Sequence, residues 1–105
     1  GLEGAPVVLP EEEAWACHVY HLYVIRAKER DPLMKHLADK GITTLIHYPT
    51  PIHLQEAYRS LGYGKGSFPV AEQAAGEIIS LPMYPSLTEE EVQYVCTSVR
   101  EFYGV

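Results

Sequence analysis

His47, Tyr48, His53 and Gln55 fall within nine residues of a 105-residue chain, and no other stretch gathers as much potential chemistry. Imidazole exchanges protons near neutral pH and can ligate metals. The phenol and the carboxamide supply directed hydrogen-bond donors and acceptors. Pro49 and Pro51 are interleaved with them. Each proline locks φ, lacks an N–H and pushes the residue before it out of helical space. A strand arriving here must bend, and the bend exposes its polar side chains at a rigid spot. Rigidly held loops at strand ends are where binding residues concentrate.

The other combinations are weaker. Cys17, His18, His21 and the distant His47 could be drawn as a zinc site, but structural zinc uses paired ligands at short spacings, so no metal is expected. His18 and His21 read equally well as satisfied polar residues beside a sheet, and His36 as a surface residue on a helix. No serine stands in a nucleophile-elbow context. Gly62, Gly64 and Gly66 have the wrong spacing for a phosphate loop, follow a helix and lack the terminal Lys-Ser/Thr, so they read as a loop. No residue is assigned as catalytic.

The elements that must position the bend follow from periodicity and punctuation. Residues 19–26 are rich in β-branched and aromatic residues, with both faces largely apolar, and read as a central strand that ends on Arg26. Asp31 and Pro32 read as N-cap and first residue of a helix with Leu33, Met34, Leu37 and Ala38 as its buried stripe and Gly41 at its C′ position. Residues 42–48 read as a second strand. Leu54, Ala57, Tyr58 and Leu61 then sit at helical spacing, stopped by Gly62. Pro69 opens a further helix with Val70, Ala74 and Ile78 on one face, and residues 79–82 form a short strand that Pro82 stops. Thr88 and Glu91 make a capping box ahead of a helix with Val92, Val95, Val99 and Phe102 as its stripe. The fold class is α+β: one small sheet of about three strands with helices packed on it. Residues 1–17 read as a linker or loosely docked arm, with one short strand at Val7-Val8-Leu9, and residues 18–105 as the domain.

Composition narrows the partners. The net charge of −6 argues against nucleic acid, which needs clustered Lys and Arg. The eight tyrosines do not alternate with basic residues as a stacking platform would. The Glu11-Glu12-Glu13 and Glu89-Glu90-Glu91 runs read as a solvated linker and a helix N-terminus. Only two cysteines, Cys17 and Cys96, in no metal-like pairing, fit a reducing, cytoplasmic setting. No stretch of eighteen apolar residues suggests a membrane span. The start, Gly-Leu-Glu-Gly, has neither Met nor the features of a signal peptide, and the chain reads as a piece of something larger.

Several motifs occur in one order: Tyr20 to Arg26, Lys40-Gly41-Ile42, His47-Tyr48-Pro49-x-Pro51-x-His53-x-Gln55, Leu61-Gly62-Tyr63, Phe68-Pro69-Val70-Ala71-Glu72 and Ser80-Leu81-Pro82-Met83-Tyr84-Pro85. Together they resemble the C-terminal domain of the DegT/DnrJ/EryC1/StrS sugar aminotransferases, which depend on pyridoxal phosphate and share fold type I. The resemblance covers about residues 18–103 and implies that the small sheet is mostly antiparallel. It implies amino transfer, usually from glutamate, to a keto-sugar on a nucleoside diphosphate, by a homodimer. It also implies that a lysine, a carboxylate for the pyridine nitrogen and a phosphate cup lie in a large N-terminal domain that this chain does not contain.

Lys28, Lys35, Lys40 and Lys65 do not sit in the family's lysine context. The expectation is an excised domain or truncated product, inactive alone and without a cofactor of its own. In the whole enzyme the small domain closes one side of the cleft. By analogy His47 and Tyr48 would meet the sugar or its phosphates, His53 and Gln55 would support the bend, and Arg26 would meet a carboxylate. The alternative is a stand-alone small-ligand or protein-binding module derived from such a domain. In either case the absent domain should leave an apolar patch around Val7, Val8, Trp15 and Tyr84.

Overall fold

Only four residues of the β-rich run join a ladder. In the computed structural model, which describes residues 1–105, β1 is Tyr23–Arg26 and pairs antiparallel with β2, Ile78–Leu81. The register sets Ile25 opposite Ile79, and both are fully buried. Tyr20 lies at φ 47°, in the left-handed region, so the extended run begins only beyond it. The fold is α+β as expected, but the sheet has two strands instead of about three. Single bridges extend it at both edges, Val8 to Arg26 and Leu45 to Ser80.

The expected strand over 42–48 is therefore one bridge. Ile42 turns into the core at 6% exposure, Leu45 exchanges both backbone bonds with Ser80, and the chain then bends away. A ladder needs successive partners, and β2 offers only Ser80 on that side.

Helix α1, Arg30–Asp39, starts before Asp31. Its N-cap is Glu29, whose carbonyl accepts from the Leu33 amide, and Asp31 pairs instead with the adjacent Arg30 at 2.8 Å. Leu33 and Leu37 are fully buried, Met34 is half-buried, and Ala38 of the expected stripe faces out. Gly41 takes φ 77° at C′, where a side chain would be strained. Helix α2, Pro69–Glu77, opens on its proline as expected and buries only Ala75. It leads straight into β2, so Ile78 of its expected stripe is a strand residue. Helix α3, Glu89–Tyr103, has the full capping box: the Glu91 amide donates to Thr88 Oγ1 at 3.2 Å, and the Thr88 amide to the Glu91 carboxylate at 2.8 Å. Val95 and Val99 are buried, while Val92 is 43% exposed.

The core sits where α1 and α3 cover one face of the strand pair. Ile25, Leu33, Leu37, Ile79 and Val99 have no exposed surface. His36 crosses from α1 to α3, its Nε2 3.0 Å from the Ser98 carbonyl, which ties down a residue expected to be free. The first nine residues are also docked. Leu2 is 5% exposed, Val7 and Leu9 lie against the core, and Arg100 donates to the Glu3 carbonyl at 2.6 Å. The short strand expected at Val7-Val8-Leu9 is the single Val8 bridge.

Two segments stand off this body. Residues 11–19 and 54–70 are exposed throughout. The expected helix across 54–61 is a pair of 3₁₀ segments, Ile52–Leu54 and Glu56–Leu61, and all four residues of its apolar stripe are exposed. None of that stripe is buried, and without close tertiary packing a short α-helix is marginal. Trp15 is 86% exposed and Tyr84 46%, whereas Val7, placed in the same expected patch, is half-buried.

Only 14 of 105 residues are buried, so each core member carries a large share of the stability. Leu37→Ala should cost about 2–5 kcal/mol and Thr88→Ala about 1 kcal/mol, read from urea unfolding followed by circular dichroism. A Leu37→Ala cost below that of the cap variant would contradict this placement of the core.

Candidate functional site

The bend is held at both ends by side chains from later elements. His47 Nδ1 lies 2.8 Å from Ser80 Oγ in the middle of β2. His53 Nε2 lies 2.9 Å from Glu72 Oε1 in the first turn of α2. Between these anchors Tyr48 stands 73% exposed, its ring edge-on to His47 with centroids 5.6 Å apart, and the His47–Tyr48 peptide is cis.

Glu72 is the hub of the second anchor. Besides His53 it accepts from the Gly66 amide with both oxygens, at 2.8 and 2.9 Å, and from the Phe68 amide at 3.3 Å. One carboxylate thus fastens the bend, the glycine loop and the start of α2 together. The Gly66 N–H, then His53, then the Phe68 N–H hold its pKa below the ordinary value, because each stabilises the anion. Phe68 stands edge-on to both His53 and Tyr63, with centroids 4.8 and 5.0 Å apart.

Beside the bend lies an open, mostly apolar cleft of about 580 Å³, lined among others by Tyr48, Ile52, His53, Gln55, Tyr63 and Phe68. Its size suits a small organic ligand. The structure therefore brings Tyr48, His53 and Gln55 to one surface. His47 is not part of the lining and is tied to Ser80 instead. Gln55 is exposed, and its Nε2 is a long 3.5 Å from the Thr50 carbonyl.

Arg26 is elsewhere. Its Nε and Nη2 both donate to Glu77 Oε2, at 3.0 and 2.7 Å, and it does not line the cleft. The expected carboxylate partner is an internal one, and the pair locks the end of β1 to the end of α2. Gln73, then Arg26, lower the Glu77 pKa by hydrogen bonding to the anion.

His18 and His21 do not join the bend. His18 stacks on Tyr20 at 4.2 Å and accepts from its amide at 2.8 Å, while His21 is exposed. No group of three or more His, Cys, Asp or Glu side chains is placed to hold a metal ion. No helix is long and apolar enough to cross a membrane. Sequence reasoning missed Ser80 and Glu72 as anchors. Glu72 left a signal, an acid in the first turn of a proline-opened helix just after a glycine loop; Ser80 left none.

The Glu72 hub gives a pH signature. A carboxylate whose pKa is depressed by folding adds stability above its unfolded pKa and loses it as pH falls through the folded one. Acidification from about pH 4.3 downward should therefore release the Gly66 and Phe68 amides before the core opens, seen as lost hydrogen-exchange protection at those two amides. In Glu72→Ala, which removes the acceptor, the same amides should be unprotected already at neutral pH. Protection in that variant equal to the parent's would contradict the hub.

The chain matches the DegT/DnrJ/EryC1/StrS aminotransferase family over residues 1–100. It is 50% identical over 94 residues to the erythromycin biosynthesis sensory transduction protein EryC1 of Saccharopolyspora erythraea, covering 90% of this chain and 26% of that protein. It is 45% identical over 85 residues to the dTDP-3-amino-3,6-dideoxy-alpha-D-galactopyranose transaminase of Aneurinibacillus thermoaerophilus, covering 81% of this chain and 23% of that one. The crystal structure of S. venezuelae DesV in complex with a ketimine intermediate superposes with a TM-score of 0.92 at 40% identity, over 96% of this chain and 28% of DesV. The chain thus spans about a quarter of the length of these relatives. With the ordered motifs, the shared fold and the match over residues 1–100 in agreement, the chain belongs to the DegT/DnrJ/EryC1/StrS aminotransferase family.

Proposed function

We propose that the chain is the small C-terminal domain of a nucleotide-sugar aminotransferase, and that its 47–55 bend forms part of the wall facing the sugar nucleotide. The observation that carries this reading is the bend itself: an exposed Tyr48 between two histidines that are each fixed to the scaffold. Fixed donors beside an apolar cleft suit a ligand with a polar, acceptor-rich end, such as a sugar diphosphate. The dTDP-sugar transaminase relative supports the substrate class.

The amino donor is glutamate and the cofactor pyridoxal phosphate, as the resemblance implies. That cofactor needs a lysine amine and a carboxylate beside its ring. No lysine or carboxylate lines this cleft; Lys35 and Lys40 are paired with Asp39 and Glu101. The residues of this chain do not fit the cofactor, and the proposal assigns it to a large domain and to a second subunit of a homodimer. The exposed apolar segments, with Trp15, Val19, Ile52 and Val70 each more than two-thirds bare, are the surfaces such partners would cover. The reaction is a cytoplasmic one.

Within this reading Tyr48 donates through its hydroxyl to the ligand, and His47 holds Tyr48 in place and offers its own N–H. His53 and Gln55 keep the bend against the cleft. Arg26 takes no part, because Glu77 occupies its guanidinium. A second reading, a stand-alone binding module, draws on the name of the EryC1 relative, a sensory transduction protein.

Tyr48→Phe and His47→Ala in the complete enzyme carrying this chain should each lower kcat/KM for the nucleotide sugar by roughly tenfold, the scale of one lost hydrogen bond. The half-reaction with glutamate should be unaffected. The isolated chain should show no transamination with added cofactor. Unchanged kcat/KM in both variants would sink the proposal; tight binding of a dTDP-sugar by the isolated chain would favour the binding module.

A further inference from the structure

Ser80 is the most buried polar side chain near the bend, at 5% exposure, and its hydroxyl meets the His47 ring through Nδ1 alone. The backbone of Ser80 is fully committed: its N–H and C=O pair with Leu45, and its strand register faces Val24. Two proton placements are open to this contact. Either the hydroxyl donates to a bare Nδ1, or Nδ1–H donates to the hydroxyl oxygen. In the second case the serine proton needs a further acceptor, and no other partner meets Ser80 Oγ. Leaving a buried donor unpaired costs about 1–3 kcal/mol, enough to decide between two otherwise similar hydrogen bonds.

The first placement leaves the remaining ring proton on Nε2. That nitrogen has no partner within the chain, and it is not shut away, since the Tyr103 hydroxyl is the one buried side-chain polar atom left unpaired. His47 then presents a free N–H on a ring that meets the exposed Tyr48 ring edge-on, with centroids 5.6 Å apart.

We infer that Ser80 is a positioning residue that fixes neutral His47 as its Nε2–H tautomer, so that the bend offers a diphosphate-linked sugar an N–H donor on the ring adjoining Tyr48. The class of ligand rests on the reading proposed above; the tautomer does not. Which ring nitrogen carries the proton is set by the bond the other one makes, and here a serine in the sheet makes that bond.

The test is the pair of His47 ring nitrogen shifts in long-range proton–nitrogen spectra of the ¹⁵N-labelled 105-residue chain, recorded well above the imidazole titration. The expected result is an unprotonated, pyridine-type Nδ1 and a pyrrole-type Nε2. A pyrrole-type Nδ1 in the parent chain overturns the inference without any variant having to fold. Ser80→Ala should move the Nδ1 shift toward the pyrrole value as the second tautomer gains population, and Ser80→Thr, which keeps the hydroxyl, should restore it. A folded Ser80→Ala with unmoved shifts also overturns it. In the complete enzyme Ser80→Ala should raise KM for the nucleotide sugar several-fold with kcat little changed, and Ser80→Thr should reverse this. A correct tautomer with an unmoved KM would reject the role of the bend against the sugar nucleotide while leaving the tautomer assignment standing.

Discussion

The pairing of Ile25 with Ile79 is the contact on which everything else in this chain depends. Both side chains are fully buried at the centre of a two-stranded sheet, and α1 and α3 close over them. With so short a ladder there is little redundancy. A slip of one residue would turn Ile79 and Leu81 away from the core and send Ser80 in. It would also carry Ser80 away from His47 and Glu77 away from Arg26. The core register and the geometry of the bend are therefore one constraint.

That coupling explains how the bend can be rigid without being buried. Its tip is almost bare, yet its ends are tied to β2 and to the first turn of α2, which run into one another without a loop. The bend moves with that continuous unit. The chain holds a polar side chain in the open by fixing its neighbours, which avoids the desolvation cost of burying the group itself.

Local chemistry made some of this legible and left the rest hidden. The capping box of α3 and the proline start of α2 are short-range, and both were readable from Thr88, Glu91 and Pro69. The first helix was readable as a helix but not in its start: Asp31 and Pro32 look like a cap and N1, yet the helix begins at Arg30, because an acid in the first turn serves nearly as well as one at the cap. Residues 42–48 look like a strand because they are rich in β-branched residues, but a strand is made by its partner, and only Leu45 finds one. The stripe at Leu54, Ala57, Tyr58 and Leu61 marks a face that calls for cover, and within these 105 residues it is not buried. Leu2 was hidden in a segment rich in Gly and Pro. At the site, the bend was visible from its own residues. Its anchors lie 33 and 19 residues further on, at Ser80 and Glu72, and such pairings cannot be seen without the fold. The partner of Arg26 was hidden for the same reason, since Glu77 is 51 residues away.

The two projecting segments also govern how the molecule behaves in solution. Its radius of gyration is 15.6 Å, and its dimensions of 48 × 35 × 24 Å are those of a flattened, elongated body. A close-packed domain of this length would have a radius of gyration of about 13 Å. Drag follows shape as well as mass, so a single copy of this 11.8 kDa chain would elute from a sizing column ahead of globular standards of equal mass. Early elution alone would therefore be no sign of self-association. Scattering or sedimentation, which separate mass from shape, are the measures of size that this outline calls for.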